Sequence, residues 1–180
     1  AAVCEGVGAD VNDVILGLGY DTRIGSEFLK PGPGWGGSCF PKDTRALVRI
    51  AQQGGYDFRL LDGVIAVNEE QFSRIADKVR DAVGGDLTGR TVGVWGLTFK
   101  AGTDDLRESP SLSVIEQLVA DGARVRAYDP TVGSAGDLPP EATGIEVVGT
   151  PTETCEGADV LVVLTEWDEF RWQDPAELAA

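Results

Sequence analysis

The chain has 180 residues, of which 42% are hydrophobic and 25% are charged, as in an ordinary soluble globular protein. Its formal net charge of −15 argues against nucleic acid as a partner, because the phosphates would be repelled. No apolar run in the sequence approaches the length of a membrane span, so we expect no membrane partner either.

Cysteine and histidine usage narrows the chemistry further. Cys4, Cys39 and Cys155 have neither the close pairs of a disulfide framework nor metal-ligand spacing, so we predict a cytoplasmic location and no metal site. The chain has no histidine, which excludes a hydrolase that draws a histidine base from these residues. Cys4 and Cys155 lie in helical patterns, and we interpret both as buried and inert.

The first residues read as a helix already under way, with no capping residue and no initiator methionine. We therefore expect the chain to be a fragment of a longer protein. Asp10 is a suitable N-cap for a second helix over residues 11–18. The apolar residues of this second helix are spaced for one buried face: Val11, Val14, Ile15 and Leu18.

A glycine-rich stretch precedes the next helix. Three glycines within residues 34–37 let the backbone bend sharply, and Pro41 suits the first turn of a helix that runs to residue 53. Cys39 is thus predicted just outside a helix N-terminus, where N–H groups and the helix dipole favour a thiolate. Lys42 adds positive charge nearby. Asp43 lies one helical turn after Cys39, where it can act on a bound substrate as a base or through a water molecule. Ala46, Leu47, Ile50 and Ala51 form the apolar face of this helix.

The same local chemistry allows a plainer interpretation. Cysteine is among the most buried residue types, so a structural side chain is the alternative interpretation of Cys39. An acid in a first helical turn, such as Asp43, is often only a partner of the helix dipole.

Residues 58–83 form a long helix by their three- and four-residue apolar spacing, and Gly84 and Gly85 provide a hinge after it. A helix of this length is more often a scaffold or a dimer element than a site. We place a helical central region, with the cysteine, at residues 1–85 and a second domain at residues 86–180.

The second domain alternates strands and helices. Strands are predicted at residues 91–95, 124–128, 145–148 and 160–165, with one helix capped by Ser109 and another ending at Thr154. This alternation predicts an α/β fold with a doubly wound, parallel, Rossmann-like sheet and right-handed crossovers.

Gly93, Gly96 and Gly102, with Asp129 after the next strand, resemble a dinucleotide-binding fingerprint. The glycine spacing is wrong for that fingerprint, however, and a long polar stretch at residues 99–108 replaces the tight turn. We therefore do not assign NAD binding to this domain alone.

The sequence GWGGSCFPKD at residues 34–43 closely resembles the catalytic-cysteine signature of UDP-glucose 6-dehydrogenases, in the nucleotide-sugar dehydrogenase family. Nearly the whole chain resembles the middle and C-terminal portions of such enzymes. The resemblance implies oxidation of a primary alcohol to a carboxylate by two NAD molecules in succession, and a homodimer built through the central helices. It assigns a thiohemiacetal and a thioester to Cys39, and the positioning or deprotonation of water to Asp43.

The resemblance also implies binding roles. It assigns contact with a UDP-sugar to eight residues: Arg23 (reaching into the neighbouring subunit), Phe28, Leu29, Lys30, Gly36, Phe40, Phe99 and Lys100. It places Arg107 against the NAD held by another domain. The plainer alternatives are a solvated Arg23, core packing for Phe28 and Leu29, and exposed ion pairs for Lys100 and Arg107 with Asp104, Asp105 or Glu108.

The family's N-terminal NAD domain and its upstream catalytic lysine and asparagine have no counterpart in the sequence, so we expect no turnover from this polypeptide alone. Two alternatives stay open. One is the same chemistry on GDP-mannose or a UDP-N-acetylhexosamine; the other is a non-catalytic dimer module that binds a nucleotide sugar. The run TEWDEF at residues 165–170 also resembles the family, but its local chemistry indicates no role.

Overall fold

The computed structural model describes residues 1–178, and its contacts divide the chain into two compact units, Ala1–Gly32 and Pro33–Ala180. The predicted division between residues 85 and 86 stays a prediction. Among residues 1–178, no helix combines the length and the apolar character that crossing a membrane requires.

The first unit contains helices α1 (Ala2–Val7) and α2 (Val11–Gly19). As predicted, Asp10 caps α2, and its carboxylate accepts a hydrogen bond of 2.8 Å from the Asn12 N–H. The predicted buried face is wrong, since neither helix buries a residue and Val14 and Leu18 are exposed. Two helices this short enclose no core of their own within 32 residues.

The second unit begins with helices α3 (Phe40–Gln53) and α4 (Arg59–Ala82), both within two residues of their predicted bounds. The predicted apolar face of α3 is wrong, because Leu47 and Ile50 are exposed. The side chains that α3 buries are Pro41, Thr44 and Val48. Helix α3 packs on α4, and the side of α3 that is buried lies next to the predicted apolar face. The local sequence pattern does not reveal this difference.

The sheet confirms the predicted α/β class, with four parallel strands in the order β3-β2-β1-β4. The strands are β1 (Thr91–Trp95), β2 (Arg124–Tyr128), β3 (Ile145–Val147) and β4 (Val160–Val163). The helices of this region are α5 (Pro110–Ala120), α6 (Pro151–Cys155) and α7 (Pro175–Leu178), with 3₁₀ turns at Ala135–Asp137 and Asp168–Trp172. Strands β3 and β4 end one and two residues earlier than predicted.

The hydrophobic core lies between the sheet and helices α4 and α5. All five residues of β1 are buried, as are Ile115 and Leu118 on α5. Ala76 and Val79, near the end of α4, belong to the same core. The long helix is therefore anchored to the sheet at its C-terminal end, while residues near its start, such as Leu60 and Val67, are exposed.

Candidate active site

The stretch at residues 33–39, here called the cysteine loop, leads directly into α3. Gly34 and Gly37 have φ values of +146° and +88°, which favour glycine. Cys39 is the N-cap residue of α3 and is exposed, and Pro41 lies in the first turn of the helix. The Ser38 hydroxyl is 3.6 Å from the Cys39 Sγ. The thiol therefore stands at a helix N-terminus, in the position that the sequence predicts.

Two charged groups accompany the cysteine in the first turn of α3. The Lys42 ammonium donates to the Asp43 carboxylate over 2.6 Å, and both side chains are well exposed. The hydrogen bond to Asp43 and the negative charge of that carboxylate raise the pKa of Lys42. The Asp43 N–H donates to the Cys39 carbonyl over 3.0 Å. This turn therefore holds a thiol, a cation and a carboxylate within one helical turn.

Asn68 holds the cysteine loop from α4, a role that the sequence analysis missed. Its side-chain carbonyl accepts from the Trp35 N–H at 2.8 Å, and its amide donates to the Trp35 carbonyl at 3.0 Å. Asn68 is buried, and its place in an otherwise apolar stripe is the signal that could have revealed it. Trp35 in turn packs edge-on against Phe40, with 4.9 Å between ring centroids.

The cysteine loop lies directly against the polar stretch at residues 99–108, here called the polar loop. A Cβ added at Gly36 would lie 2.1 Å from the Glu108 carbonyl oxygen, and one added at Gly37 would lie 2.8 Å from the Phe99 ring. Arg45 on α3 forms a two-pronged ion pair with Glu108, at 3.0 and 3.1 Å. Two motifs separated by about sixty residues in sequence thus meet within the second unit.

The polar loop presents Phe99, Lys100 and Arg107. The Lys100 ammonium lies 5.2 Å from the centroid of the Phe99 ring. Arg107 donates two hydrogen bonds of 2.8 Å to Asp105, one of the three ion-pair partners that the plainer alternative offers. These bonds lower the pKa of Asp105 and raise that of Arg107. Arg107 is nevertheless an exposed side chain, at 72%.

An open cavity of about 900 Å³ adjoins both loops. Ser38 and Lys42, on either side of Cys39, border it together with Arg107 and the first turns of α5. The apolar part of its lining comes from α5 and from the segment that precedes β3: Leu112, Ile115, Val119, Leu138, Pro139 and Ala142. A cavity of this size is ample for a nucleotide or a sugar.

The remaining predicted binding residues lie in the first unit. Arg23 donates a fork of hydrogen bonds to Asp21, the shortest at 2.6 Å, and its side chain is 86% exposed. Phe28 is 99% exposed, so the core-packing alternative is wrong for it, while Leu29 is half-buried and Lys30 exposed.

Gly93 and Gly96, two of the three glycines that resemble a dinucleotide fingerprint, serve chain packing instead. A Cβ added at Gly93 would lie 2.7 Å from the Thr154 carbonyl oxygen, and one added at Gly96 would lie 2.3 Å from the Thr165 Cβ. Ser109 is the N-cap of α5 as predicted, but its hydroxyl donates to the Leu97 carbonyl at 2.7 Å and caps no N–H of the helix. The turn after β1 is therefore filled by protein atoms where a dinucleotide would need open backbone.

The structure also shows the exposure of the other two cysteines and the arrangement of possible metal ligands among the residues that it describes. Cys4 and Cys155 are partly exposed, so the prediction that both are buried is wrong. Within residues 1–178, no group of three or more Cys, Asp or Glu side chains has the arrangement of a metal site.

Comparison with known families and proteins agrees with this geometry. Two models of the UDP-glucose/GDP-mannose dehydrogenase family match the chain, the central domain over residues 1–70 and the UDP binding domain over residues 93–180. A UDP-glucose 6-dehydrogenase of Rhizobium meliloti (strain 1021) is 48% identical over 97% of this chain and 39% of its own length. The chain thus spans about two fifths of the length of this curated relative.

Two solved structures show the same fold. A UDP-glucose dehydrogenase from the hyperthermophilic archaeon Pyrobaculum islandicum superposes with a TM-score of 0.83 and 35% identity, over 93% of this chain and 38% of that chain. A GDP-mannose dehydrogenase from Pseudomonas aeruginosa gives a TM-score of 0.69 and 31% identity, over 93% and 40% of the respective chains.

Proposed function

Because the chain belongs to the UDP-glucose/GDP-mannose dehydrogenase family, we propose that it forms the substrate-binding part of an NAD-dependent UDP-glucose 6-dehydrogenase. One observation carries the proposal. The exposed Cys39 thiol, at the N-terminus of α3, belongs to a loop that packs against the loop bearing Phe99 and Lys100. Ser38 and Lys42, which flank this nucleophile in the sequence, line one cavity together with Arg107 of the second loop, so the cavity offers cations for a diphosphate.

The reaction converts the 6-hydroxymethyl group of UDP-glucose into the carboxylate of UDP-glucuronate. NAD would supply the hydride acceptor for each of two oxidations at C6, and each oxidation also releases the proton of the hydroxyl that is oxidised. Between them the Cys39 thiol adds to the C6 aldehyde, forming a C–S bond while the proton passes to the aldehyde oxygen. The second oxidation gives a thioester, water attacks its carbonyl carbon, and the C–S bond breaks to return the free thiol. A thiol suits this sequence because it adds to aldehydes and leaves from acyl groups.

Two side chains of this chain act on the attacking water and on the substrate, respectively. Asp43, four residues from Cys39, orients or deprotonates the attacking water, and its ion pair with Lys42 holds the carboxylate in place. Lys100 holds the diphosphate and sugar hydroxyls, and in doing so keeps C6 near the sulfur.

The remaining binding residues act around these. Phe28, Leu29 and Lys30 run along the uridine, while Gly36 and Phe40 border the sugar. Arg23 reaches the site of the neighbouring subunit in a homodimer. Its exposed guanidinium and its place outside any core are compatible with that role.

The packing of Gly93 and Gly96 against protein atoms and the burial of Asp129 support a proposal that NAD is not held at the turn after β1. We place the NAD site mainly in a domain outside these residues, with Arg107 as the contribution of this chain. The polypeptide by itself then binds substrate and does not turn over.

Calorimetric titration of the chain with UDP-glucose, UDP-glucuronate, GDP-mannose and NAD tests the binding part. Selective UDP-sugar binding is expected, and Lys100→Ala should weaken it by about tenfold, the effect of a lost charged contact. Strong binding of NAD would contradict the assignment of this domain.

The chemical step is tested in the enzyme that includes the NAD-binding part. Cys39→Ser should lower NADH formation by at least about a thousandfold, since serine is a far weaker nucleophile at neutral pH. Cys155→Ser is the matched control and should stay near wild type. Retention of activity by Cys39→Ser would remove the covalent mechanism.

GDP-mannose is one alternative substrate, because a GDP-mannose dehydrogenase shares this fold at 31% identity. A UDP-N-acetylhexosamine is a further candidate within the same chemistry. Competition between the nucleotide sugars decides: faster oxidation of GDP-mannose than of UDP-glucose would replace the proposed substrate. Binding without any activity of the complete protein would favour a non-catalytic dimer module.

A further inference from the structure

Asp129 follows β2, where a dinucleotide-binding fold keeps the acid that contacts the ribose. Here the side chain is 1% exposed and both carboxylate oxygens accept hydrogen bonds from protein groups. Oδ1 accepts from the N–H and the hydroxyl of Thr131, at 3.0 and 2.8 Å. A ribose would have to displace these protein donors, so the acid has another use in this chain.

The second oxygen of Asp129 reaches the ends of two other strands. Oδ2 accepts from the N–H groups of Leu97 and Thr98, at 2.8 and 3.1 Å, just beyond β1. It also accepts from the Trp167 indole N–H at 3.1 Å, beyond β4. One buried carboxylate therefore ties together the carboxyl ends of three neighbouring strands.

The connection continues from Asp129 to the polar loop. The Thr98 hydroxyl is 3.1 Å from Asp129 Oδ2 and 3.3 Å from the Lys100 carbonyl oxygen. The Thr98 carbonyl accepts a bond of 2.6 Å from the Thr165 hydroxyl. Thr98 is wholly buried, so this turn has little freedom, and the next two residues along the chain are Phe99 and Lys100.

We propose that Asp129 is a positioning residue that, through Thr98 and Trp167, fixes the turn from which Phe99 and Lys100 meet the substrate. This inference rests on the proposed role of Lys100 in holding the nucleotide sugar. A buried carboxylate whose oxygens are fully engaged is a rigid anchor, because any movement of its partners leaves a charge without donors. It also gives the run at residues 165–170 a role, since Thr165 and Trp167 both bond to this assembly.

A matched pair of variants at Thr98 separates positioning from packing. Thr98→Val keeps the volume and loses the hydroxyl, whereas Thr98→Ser keeps the hydroxyl and loses a methyl group. We expect the valine variant to bind UDP-glucose about tenfold more weakly and the serine variant to remain within about twofold of wild type. Weaker binding by serine than by valine would show a packing role and overturn the proposal.

A double-mutant cycle shows whether the effect passes through Lys100. In a Lys100→Ala background, Thr98→Val should weaken UDP-glucose binding no further, since the group being positioned is gone. An undiminished tenfold effect in that background would overturn the proposal.

Trp167→Phe keeps an aromatic ring and deletes one donor to Asp129, and Trp172→Phe, at a residue 85% exposed, is its control. We expect hydrogen exchange of the Leu97 and Thr98 amides to accelerate about tenfold in Trp167→Phe while the β1 amides stay protected. Unchanged exchange at these amides, or equal acceleration in Trp172→Phe, would overturn the proposal.

Hydrogen exchange is measured without ligand, so it tests the positioning role of Asp129 separately from the proposed binding of UDP-glucose. A wild-type chain that fails to bind UDP-glucose would defeat the proposed function, while the exchange result would still decide whether Asp129 fixes the turn.

Discussion

The cysteine loop and the turn after β1 both present candidate site residues, but they are held by opposite means. The cysteine loop packs closely against the polar loop because Gly36 and Gly37 have no side chains, which lets its backbone approach Glu108 and Phe99. The turn after β1 is held by polar atoms that are present, above all the carboxylate of Asp129. The first region should therefore be sensitive to added atoms, and the second to lost hydrogen-bond acceptors.

The largest effect is expected where an atom is added to the cysteine loop. Gly36→Ala would place a Cβ 2.1 Å from the Glu108 carbonyl oxygen, which is backbone and has little room to move. We expect the free energy of unfolding to fall by about 3 kcal/mol, as for a severe overpacking change. Urea unfolding measures it.

Gly63→Ala is the control for that change. Gly63 lies within α4 and an added Cβ there meets nothing within 4 Å, so alanine should stabilise the helix by up to about 1 kcal/mol. Equal losses at both glycines would remove the idea that close approach is what the loop requires.

The second largest effect is expected at Asp129, whose carboxylate holds the turn after β1. Asp129→Asn replaces an acceptor oxygen by a donor amide facing N–H groups, and we expect a loss of about 2 kcal/mol in unfolding free energy at pH 7. Burial acts to raise the pKa of Asp129, but the N–H groups of Leu97, Thr131 and Thr98 outweigh it, so the pKa lies below its usual value.

The direction of that pKa shift sets a pH dependence. The folded state prefers the carboxylate, so its contribution is fully present above the unfolded pKa of about 3.9 and is lost as the pH falls through the lower folded value. The stability difference between wild type and Asp129→Asn should be constant from neutral pH to about pH 5 and shrink below pH 4. A difference that grows on acidification would contradict this account.

A third change concerns Asn68, which tethers the cysteine loop to α4 through two hydrogen bonds. Asn68→Leu leaves the Trp35 N–H and carbonyl without their partners, and we expect a loss of about 1 to 2 kcal/mol. Asn68→Asp keeps the acceptor for the Trp35 N–H. At a pH where this acid is protonated it can also donate to the Trp35 carbonyl, so the loss of stability should be smaller than in Asn68→Leu. Thermal unfolding of the pair shows whether the two hydrogen bonds matter separately.

The smallest effect is expected at the ion pair between the two loops. Arg45 and Glu108 are each about half exposed, so Arg45→Ala should lower stability by only about 0.5 kcal/mol. The loss should shrink at 1 M salt, where exposed charges are screened. Arg49→Ala, at another exposed arginine of α3, controls for removal of a cation; a larger loss there would contradict a specific pair.

Local patterns in the sequence were sufficient for much of this molecule. Apolar periodicity predicted α3, α4 and the strands, because amphipathic spacing is a property of neighbouring residues. The proline and glycines around Cys39 predicted its place at a helix N-terminus, which the structure confirms. These signals are short-range, so one sequence contains them in full.

Only the tertiary structure decided which surfaces meet. The pattern of α3 misidentified its buried side, because packing on α4 involves residues distant in sequence. The pairing of Arg45 with Glu108 and the anchoring of Thr98 by Asp129 each join residues more than 30 positions apart. No local periodicity encodes such pairs, since hydrogen bonds and close approaches depend on distances that the folded chain creates.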